Sequence, residues 1–286
     1  MALTINTNMS SLIVQKNLSS ATTSLNNAIE RMTTGYKINH AKDNAAGFSI
    51  ANNWKTKLGS LDIASENASM GADMLKTAEE NYSLITEHLQ RVRDLTEQAA
   101  NGTYGSDSLK AIASEMTARL NEIDRIAANA EFNGISLMKG AGKEIKLQVG
   151  LDATTTNSTI TLEAALFSGA SSKDLLEAEI AAFVKDVTDI SKGASKAATK
   201  LTDLDKAITK VSGRQTAIGS AQNRVDTAIS AITVQSENLT SSLSTIRDAD
   251  VAEESSSYIK AQILQQASAT LLATANQAPS IALNLI

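Results

Sequence analysis

The residues of this chain that could do acid–base or metal chemistry do not have the spacing of a catalytic or metal site. The two histidines, His40 and His88, lie in unrelated segments, and neither has an i, i+4 partner or a cluster of carboxylates nearby in the sequence. The chain contains no cysteine, which excludes disulfides, thiolate zinc sites and cysteine nucleophiles. We therefore expect surface or interface histidines, and we predict neither a metal site nor a cofactor.

The carboxylate pairs and the glycines also lack catalytic spacing. Glu79-Glu80 and Glu253-Glu254 are sequence neighbours, so on a helix they point about 100° apart and cannot share one substrate. Solvated helix faces explain them better. The glycines between positions 134 and 150 do not follow a phosphate-loop or dinucleotide-binding spacing. Because no residue set indicates a reaction, we predict that the protein is not an enzyme.

The composition indicates layers of closely packed long helices. Aromatic residues make up 3% of the 286 residues and hydrophobic residues 42%, and the single proline is Pro279, so interior helix breaks are not expected. The net charge of −5 does not favour nucleic-acid binding, which needs a concentrated basic face. No stretch approaches the roughly 18 apolar residues of a membrane span, and residues 1–6 do not resemble a cleaved secretory signal.

The most regular pattern of the chain is a seven-residue repeat near its C-terminal end. Aliphatic residues recur without a miss at Leu204, Val211, Ile218, Val225, Ile232, Leu239 and Ile246. With a mixed companion line they form an a/d heptad seam, which predicts a helix over about 197–247 that is roughly 75 Å long. Such a helix needs partners along its length, because no single compact domain could bury it.

The partners are predicted in the first half of the chain. Apolar residues form a seam over residues 61–92, and a third amphipathic helix follows over residues 109–127, with Asn133-Gly134 at its end. Between the two halves, apolar and polar residues alternate on both sides of a Thr/Asn-rich turn, which predicts a β-hairpin near 143–163. Residues 163–195 are expected to form short helical or loop segments.

Both ends of the chain carry an amphipathic stripe, over residues 5–33 and 255–277. Neither is stable as an isolated helix, so we expect the terminal helices to pair and then to pack against further copies. The residues assigned to this inner assembly core are Leu12, Leu18, Leu25, Ile29, Ile259, Ile263 and Leu271. The predicted fold class is mainly α: a long antiparallel coiled-coil bundle with a small β-hairpin region, in which the terminal helices pair into an inner coiled coil.

Two shorter stretches interrupt these patterns. Residues 39–47 predict a hinge or spoke between two helices, with Gly35 as the terminator of the first. Residues 89–95 carry charged side chains on the side that faces away from Leu89 and Val92. The plain interpretation of this second stretch is a solvated face with local ion pairs.

Nine motifs follow one another along the chain in a recognisable order. They are 5–8 (INTN), 28–39 (AIERMTTGYKIN), 41–47 (AKDNAAG), 89–93 (LQRVR), 119–126 (RLNEIDRI), 132–134 (FNG), 221–224 (AQNR), 246–250 (IRDAD) and 261–267 (AQILQQA). In this order they resemble the bacterial flagellin family, over about 1–165 and 197–286. Several independent motifs make the resemblance specific.

The resemblance implies a structural subunit that polymerises into the extracellular flagellar filament for swimming motility. Family members are exported unfolded through the flagellar type III apparatus, without a cleaved signal, and add at the distal tip. The implied partners are copies of the chain itself, an export chaperone at the C-terminal segment, and the filament cap and hook-junction proteins. The implied domains are an inner terminal-helix domain (1–40 with 255–286), a helical core domain (41–165 with 197–254) and a short remnant of the variable region (165–196).

The resemblance also implies recognition by the innate immune receptor Toll-like receptor 5. The residues that match the receptor- and subunit-contact surface of the family are Gln90, Arg91, Leu95, Ile112, Glu115 and Arg119. Because the same positions resemble subunit contacts, recognition is expected to require the monomer.

Two alternatives stay open at the level of the sequence. A hook–filament junction protein of the same superfamily shares the terminal helices, but usually lacks the near-complete patterns at 89–93 and 119–126. An intracellular coiled-coil adaptor predicts folded termini and a fixed small oligomer instead of open-ended polymerisation.

Overall fold

Helices dominate the protein. The computed structural model of the chain describes residues 7–151, 158–189 and 193–283, with the backbone alone for 193–198 and 278–283. The described helices are α1 (Met9–Thr34), α2 (Ala45–Ala100), α3 (Ser106–Asn129), α4 (Ser172–Leu176), α5 (Ile180–Thr188), α6 (Gly193–Arg247) and α7 (Val251–Leu283). The strands are β1 (Glu131–Phe132), β2 (Ile135–Ser136), β3 (Ile145–Gln148) and β4 (Thr159–Leu162). The predicted mainly α fold is confirmed.

Contacts divide the chain into two units. The terminal unit consists of residues 1–58 and 237–286, and the central unit consists of residues 59–236, so that α2 and α6 contribute to both. The division predicted from the family resemblance, with boundaries at 40, 165, 197 and 254, stays a prediction, because contacts do not show which layer of an assembly a segment occupies. None of the described helices is long and apolar enough to cross a membrane.

In the terminal unit, α1 and α7 pair along most of their length. Residue numbers fall along one helix as they rise along the other, so the pair is antiparallel. Its polar contacts are Asn8 to Ala275 (2.7 Å), Ser11 to Asn276 (2.8 Å), Gln265 to Thr22 (3.3 Å) and Arg31 to Glu254 (3.1 Å). The buried alanines of the pair are Ala21, Ala28 and Ala261. Small side chains at these positions allow the close approach that the sequence pattern predicts for paired terminal helices.

Backbone and side-chain caps fix the loop between α1 and α2. Gly35 has φ 72°, and its N–H donates to the Arg31 carbonyl at 2.8 Å, so the prediction that Gly35 ends the first helix is confirmed. Farther along, Asp43 Oδ2 accepts hydrogen bonds from the backbone N–H groups of Asn39 (3.2 Å) and His40 (2.9 Å). The loop is therefore held by specific contacts to the main chain.

The core of the central unit comes from the heptad seams. In α2, all ten predicted seam residues between Leu61 and Val92 are buried. The residues that face them from α6 include Leu204, Val211, Ile218 and Val225, and α3 adds Leu109, Ile112, Met116, Leu120 and Ile123. Polar contacts of Arg93 with Asp205 (2.7 Å) and of Gln222 with Glu79 (2.9 Å) show that α2 and α6 lie antiparallel. A seven-residue repeat buries one continuous face of each helix in such a pair.

The predicted hairpin near 143–163 is present and packs on α2. Strands β3 and β4 pair antiparallel, with Leu147 opposite Ile160. Asn67 Nδ2 of α2 donates to the Gln148 carbonyl at 3.2 Å. A Cβ at Gly71 would overlap the end of the Leu147 side chain, so the smallest residue stands where the hairpin approaches the helix.

A second hairpin lies where the sequence pattern predicts a helix end. Helix α3 ends earlier, at Asn129, and Asn133-Gly134 forms the two-residue turn between β1 and β2. Both turn residues have positive φ, 49° for Asn133 and 77° for Gly134. Two positive φ values are typical of the type I′ turn, for which Asn-Gly is the preferred dipeptide. The prediction that this dipeptide ends α3 is therefore wrong.

Residues 163–189 close one side of the central core. The buried residues of this segment include Leu166, Phe167, Leu175, Leu176 and Phe183. The segment is tied down by polar groups as well, because the Tyr82 hydroxyl donates to the Leu166 carbonyl at 3.0 Å and Arg214 Nη1 donates to the Gly169 carbonyl at 3.0 Å. The prediction of short helical or loop segments is confirmed for residues 163–189, whereas residues 193–195 belong to the long helix α6.

Candidate assembly and recognition surfaces

The described residues bring no catalytic group together. His40 lies beside two carboxylates, which its sequence position did not indicate: its Nδ1 is 3.2 Å from Glu30 Oε1 and 4.0 Å from Asp43 Oδ2. The backbone hydrogen bond from His40 lowers the pKa of Asp43, so this carboxylate stays ionised and caps the loop. No set of three or more His, Cys, Asp or Glu side chains within the described ranges is arranged to hold a metal ion.

The expectation of solvated carboxylate pairs is half wrong. Glu80 and Glu253 face solvent as expected. Glu254 is buried and accepts a hydrogen bond from Arg31 at 3.1 Å, and Glu79 accepts one from Gln222 at 2.9 Å. One member of each pair therefore joins helices that are distant in the sequence. Local spacing gave no sign of this, because each partner lies more than a hundred residues away.

The terminal unit exposes an unusual amount of apolar surface. Of the residues assigned to the inner assembly core, Leu18 and Leu25 are half-buried. The other five are between 43% and 59% exposed, and they are Leu12, Ile29, Ile259, Ile263 and Leu271. Met9, Ile13 and Leu264 add further exposed apolar side chains to the same two helices. Contiguous exposed apolar surface of this kind marks an interaction site.

The candidate receptor- and subunit-contact set separates into a surface part and a core part. Gln90 is exposed, and Arg91 Nε lies 2.8 Å from Glu115 Oε1, which links α2 to α3. Arg119 Nη2 lies 3.9 Å from the same oxygen. Leu95 and Ile112 are buried in the central core, so they position α2 and α3 and do not themselves face solvent.

Ion pairs between helices accompany a local pair around residues 89–95. The hydrogen bond from Arg91 lowers the pKa of Glu115 and the same bond raises that of Arg91, so both stay charged. Arg93 bonds Asp205 of α6 at 2.7 Å, and its contact with Glu97 is longer, at 3.5 Å. This turn of α2 therefore carries a fixed charge pattern that contacts two neighbouring helices.

The C-terminal seam is buried over most of its length. Leu204, Val211, Ile218, Val225 and Ile232 lie in the buried core of the central unit. Leu239 and Ile246 belong to the terminal unit and are half-buried. The single chain thus covers the first five seam positions and leaves part of the last two accessible to solvent.

Two family models match this chain, one at each end. The model of the bacterial flagellin N-terminal helical region matches residues 5–143, and the model of the bacterial flagellin C-terminal helical region matches residues 201–286. The chain belongs to the bacterial flagellin family. The two matches span the helices that carry the apolar stripes and the heptad seams described above.

Relatives that match over their full length support the assignment to the flagellin family. A flagellin of Xenorhabdus nematophila is 36% identical, with 100% of both chains covered, and the flagellar filament 33 kDa core protein of Treponema phagedenis is 32% identical, with 99% of both covered. A hook-associated protein of Vibrio parahaemolyticus has a similar fold, with a TM-score of 0.59 over 72% of this chain and 100% of that one, at 14% identity. That likeness shows the fold alone.

As a flagellin, the protein is a structural subunit of a flagellar filament. The alternative of a hook-junction protein is less supported, since both family models and the full-length relatives are flagellins. The flagellin family is a family of structural proteins.

Proposed function

We propose that the apolar stripes of α1 and α7 are covered by further copies of the chain, and that residues 1–40 with 255–286 form the innermost layer of the extracellular filament. The observation that carries this proposal is the row of half-exposed aliphatic side chains on the two helices. Covering one such side chain contributes roughly 1 kcal/mol, about half of the value for a fully exposed one. A row of such side chains favours polymerisation, because the monomer alone cannot bury them.

Assembly of this kind couples ordering to polymerisation. The terminal helices are amphipathic and gain their full burial only between subunits, so filament growth stabilises them by mass action. A head-to-tail contact that does not close into a ring generates a helical filament. Residues 41–165 with 197–254 then form the next layer, and the short segment 165–196 takes the place of a larger variable domain.

The route to the filament follows from the family. The subunit travels unfolded through the flagellar type III export apparatus and adds beneath the cap at the distal tip, beyond the hook-junction proteins. A cytoplasmic export chaperone holds the C-terminal segment before export. The exposed apolar face of α7, with Ile259, Ile263 and Leu271, supports this partner, because such a face needs cover before assembly.

The charged surface on α2 and α3 is the proposed site for Toll-like receptor 5. Gln90, Arg91, Glu115 and Arg119 supply its polar contacts, and the ion pair of Arg91 with Glu115 pre-orients two of these side chains. Leu95 and Ile112 support the surface from beneath. Because subunit contacts cover the same face in a filament, the receptor binds the monomer.

Seeded polymerisation of the purified chain tests the proposed filament function. Sheared filament seeds should elongate with the full chain, and a chain that lacks residues 1–33 and 255–286 should not elongate them. The variant Leu12→Asn/Ile263→Asn changes side chains that are exposed in the monomer, so it should keep the monomer fold and lose elongation. Thr23→Asn/Ser256→Asn changes exposed polar residues of the same two helices and serves as the control. Small discrete oligomers from the full chain would contradict the proposal.

A further inference from the structure

The side of α2 that faces away from the central core carries a repeating pattern of its own. Exposed large apolar residues recur at Ile63, Met70 and Leu84, with 57%, 54% and 47% exposure, and Thr77 fills the intervening heptad position. Three residues after each of these positions comes a carboxylate, at Glu66, Asp73, Glu80 and Glu87. These eight residues are the outer face of α2. They share one side of the helix because seven residues complete about two turns.

The carboxylates of the outer face of α2 have no partner within the described part of the chain. Glu66, Asp73, Glu80 and Glu87 are exposed, and none of their side chains forms a salt bridge or a hydrogen bond there. By contrast, Arg91, Arg93 and the nearby carboxylates on α3 and α6 are paired across helices. A row of like charges about 10.5 Å apart, interleaved with exposed aliphatic side chains, fits a surface that meets a complementary one.

Helix α6 presents such a complementary face in the same unit. Its basic members are Lys206, Lys210 and Arg224, and its small members are Gly213, Ala217, Ser220 and Ala231. All seven residues are exposed, and we call them the basic face of α6. A Cβ at Gly213 would meet nothing within 4 Å, so the helix offers open space there for a side chain from another molecule. Lys210 Nζ donates to the Asp174 carbonyl at 3.0 Å, while neither Lys206 nor Arg224 forms an ion pair in the described ranges.

The two faces match in spacing as well as in charge and size. Within the unit, the contacts of Arg93 with Asp205 and of Gln222 with Glu79 fix the antiparallel register of α2 and α6. By that register Glu87 lies at about the height of Lys210, and Asp73 at about the height of Arg224. A neighbour shifted by one heptad would bring Glu80 and Glu66 to the same two heights. The repeat thus offers carboxylates at successive registers about 10.5 Å apart.

We propose that the outer face of α2 in one copy packs against the basic face of α6 in the next copy. The partner is a second copy of this chain, so the inference rests on the proposed filament function and assigns two of its contact faces. Ile63, Met70 and Leu84 enter the open space beside the small residues of α6. The carboxylates pair with the lysines and the arginine. The contact is heterologous, because the two faces differ, and it therefore continues from copy to copy.

Charge reversal on each face tests this pairing. The first variant carries Asp73→Lys, Glu80→Lys and Glu87→Lys, and the second carries Lys206→Glu, Lys210→Glu and Arg224→Glu. Each alone should raise the critical concentration for elongation of seeds about tenfold or more, since attraction becomes repulsion at several positions. All six changes in one chain should restore elongation of its own seeds and not of wild-type seeds. Circular dichroism and thermal unfolding of each monomer check that the fold is kept.

A matched control changes the same number of carboxylates elsewhere in the central unit. Asp107→Lys, Glu131→Lys and Asp226→Lys lie outside both faces, and this variant should elongate seeds like the wild type. Unchanged elongation by both reversed variants, or failure of the six-fold variant to recover, overturns the pairing of the two faces. In that case wild-type chains that still elongate seeds leave the filament function intact. Wild-type chains that never elongate seeds contradict the filament function itself.

Discussion

The ion pair between Arg31 and Glu254 ties the end of α1 to the first turn of α7. Arg31 Nη1 lies 3.1 Å from Glu254 Oε1, and the side chain of Glu254 is 10% exposed while that of Arg31 is 34% exposed. Among the described residues, Arg31 is the one ion-pair partner of this carboxylate. The substitution Arg31→Met keeps much of the apolar stem and removes the charge, so it leaves a nearly buried carboxylate unpaired.

The expected cost follows from this geometry. Removing one partner of a fully buried ion pair costs about 3–5 kcal/mol. Because Arg31 is partly exposed, water replaces some of the lost interaction, and we expect about 2–3 kcal/mol for Arg31→Met. In the proposed mechanism the terminal helices become ordered as the subunit enters the filament, so this cost falls on elongation. Since about 1.4 kcal/mol is a factor of ten, the critical concentration for filament elongation should rise about 30- to 150-fold. Arg31→Met/Glu254→Met removes both charges and should stay within about fivefold of the wild type.

Elongation of sheared filament seeds is the assay, followed by light scattering over a series of monomer concentrations and checked by electron microscopy. Lys16→Met is the control, because Lys16 is an exposed lysine of the same helix, and it should behave like the wild type. If the single and the double variant lose elongation equally, lost packing sets the cost and the stranded charge does not. That result would refute the reasoning.

Three further predictions concern the central unit. Burial raises the pKa of Tyr82 above 10.0, although the positive charge of Arg214 opposes this shift. The contribution of Tyr82 to stability is therefore present below about pH 10 and is lost as the pH rises through the raised pKa. Tyr82→Phe should reduce this loss of stability at high pH in thermal unfolding. The hydrogen bond from Arg91 lowers the pKa of Glu115 below 4.5, so its contribution is present above that pH and lost as the pH falls through the lowered value. Arg91→Met should remove this acid dependence in the same unfolding experiment. Gly71→Val should reduce the free energy of unfolding by about 1–3 kcal/mol, because its side chain meets Leu147, and adding Leu147→Ala should recover part of the loss in urea titrations.

The spacing of apolar residues predicted most of the fold, because the buried positions of a long helix pair recur with the same seven-residue period. The seam between Leu61 and Val92 and the seam from Leu204 to Ile232 are buried as the seven-residue repeat requires. The hairpin at β3 and β4 followed from a period of two. In each case the signal lies within one element, so a single sequence is enough to find it.

The misses concern partners that are distant in the sequence or turns that resemble helix ends. Their local sequence predicts that Glu254 and Glu79 are solvated, but the register between paired helices places them beside Arg31 and Gln222. No local pattern contains that register. Asn133-Gly134 after an amphipathic helix predicts a helix end, although the same dipeptide is the strongest signal for a two-residue hairpin turn. The short strands on either side were too brief to show alternation.

The central unit and the terminal unit expose different kinds of surface, and we expect these surfaces to have different roles in assembly. The central unit buries its heptad seams and closes one side of its core with residues 163–189. It leaves exposed charged residues and small apolar patches at regular spacing. Contacts between such surfaces fix the register of neighbouring copies more than they strengthen their binding. The terminal unit leaves long aliphatic side chains half-exposed along α1 and α7. Contacts between these side chains strengthen binding between copies more than they fix its register. A filament subunit needs both strong binding and a fixed register. Strong but unspecific contacts between terminal helices would lead to aggregation, and specific but weak contacts between central units would not keep the filament assembled under mechanical force.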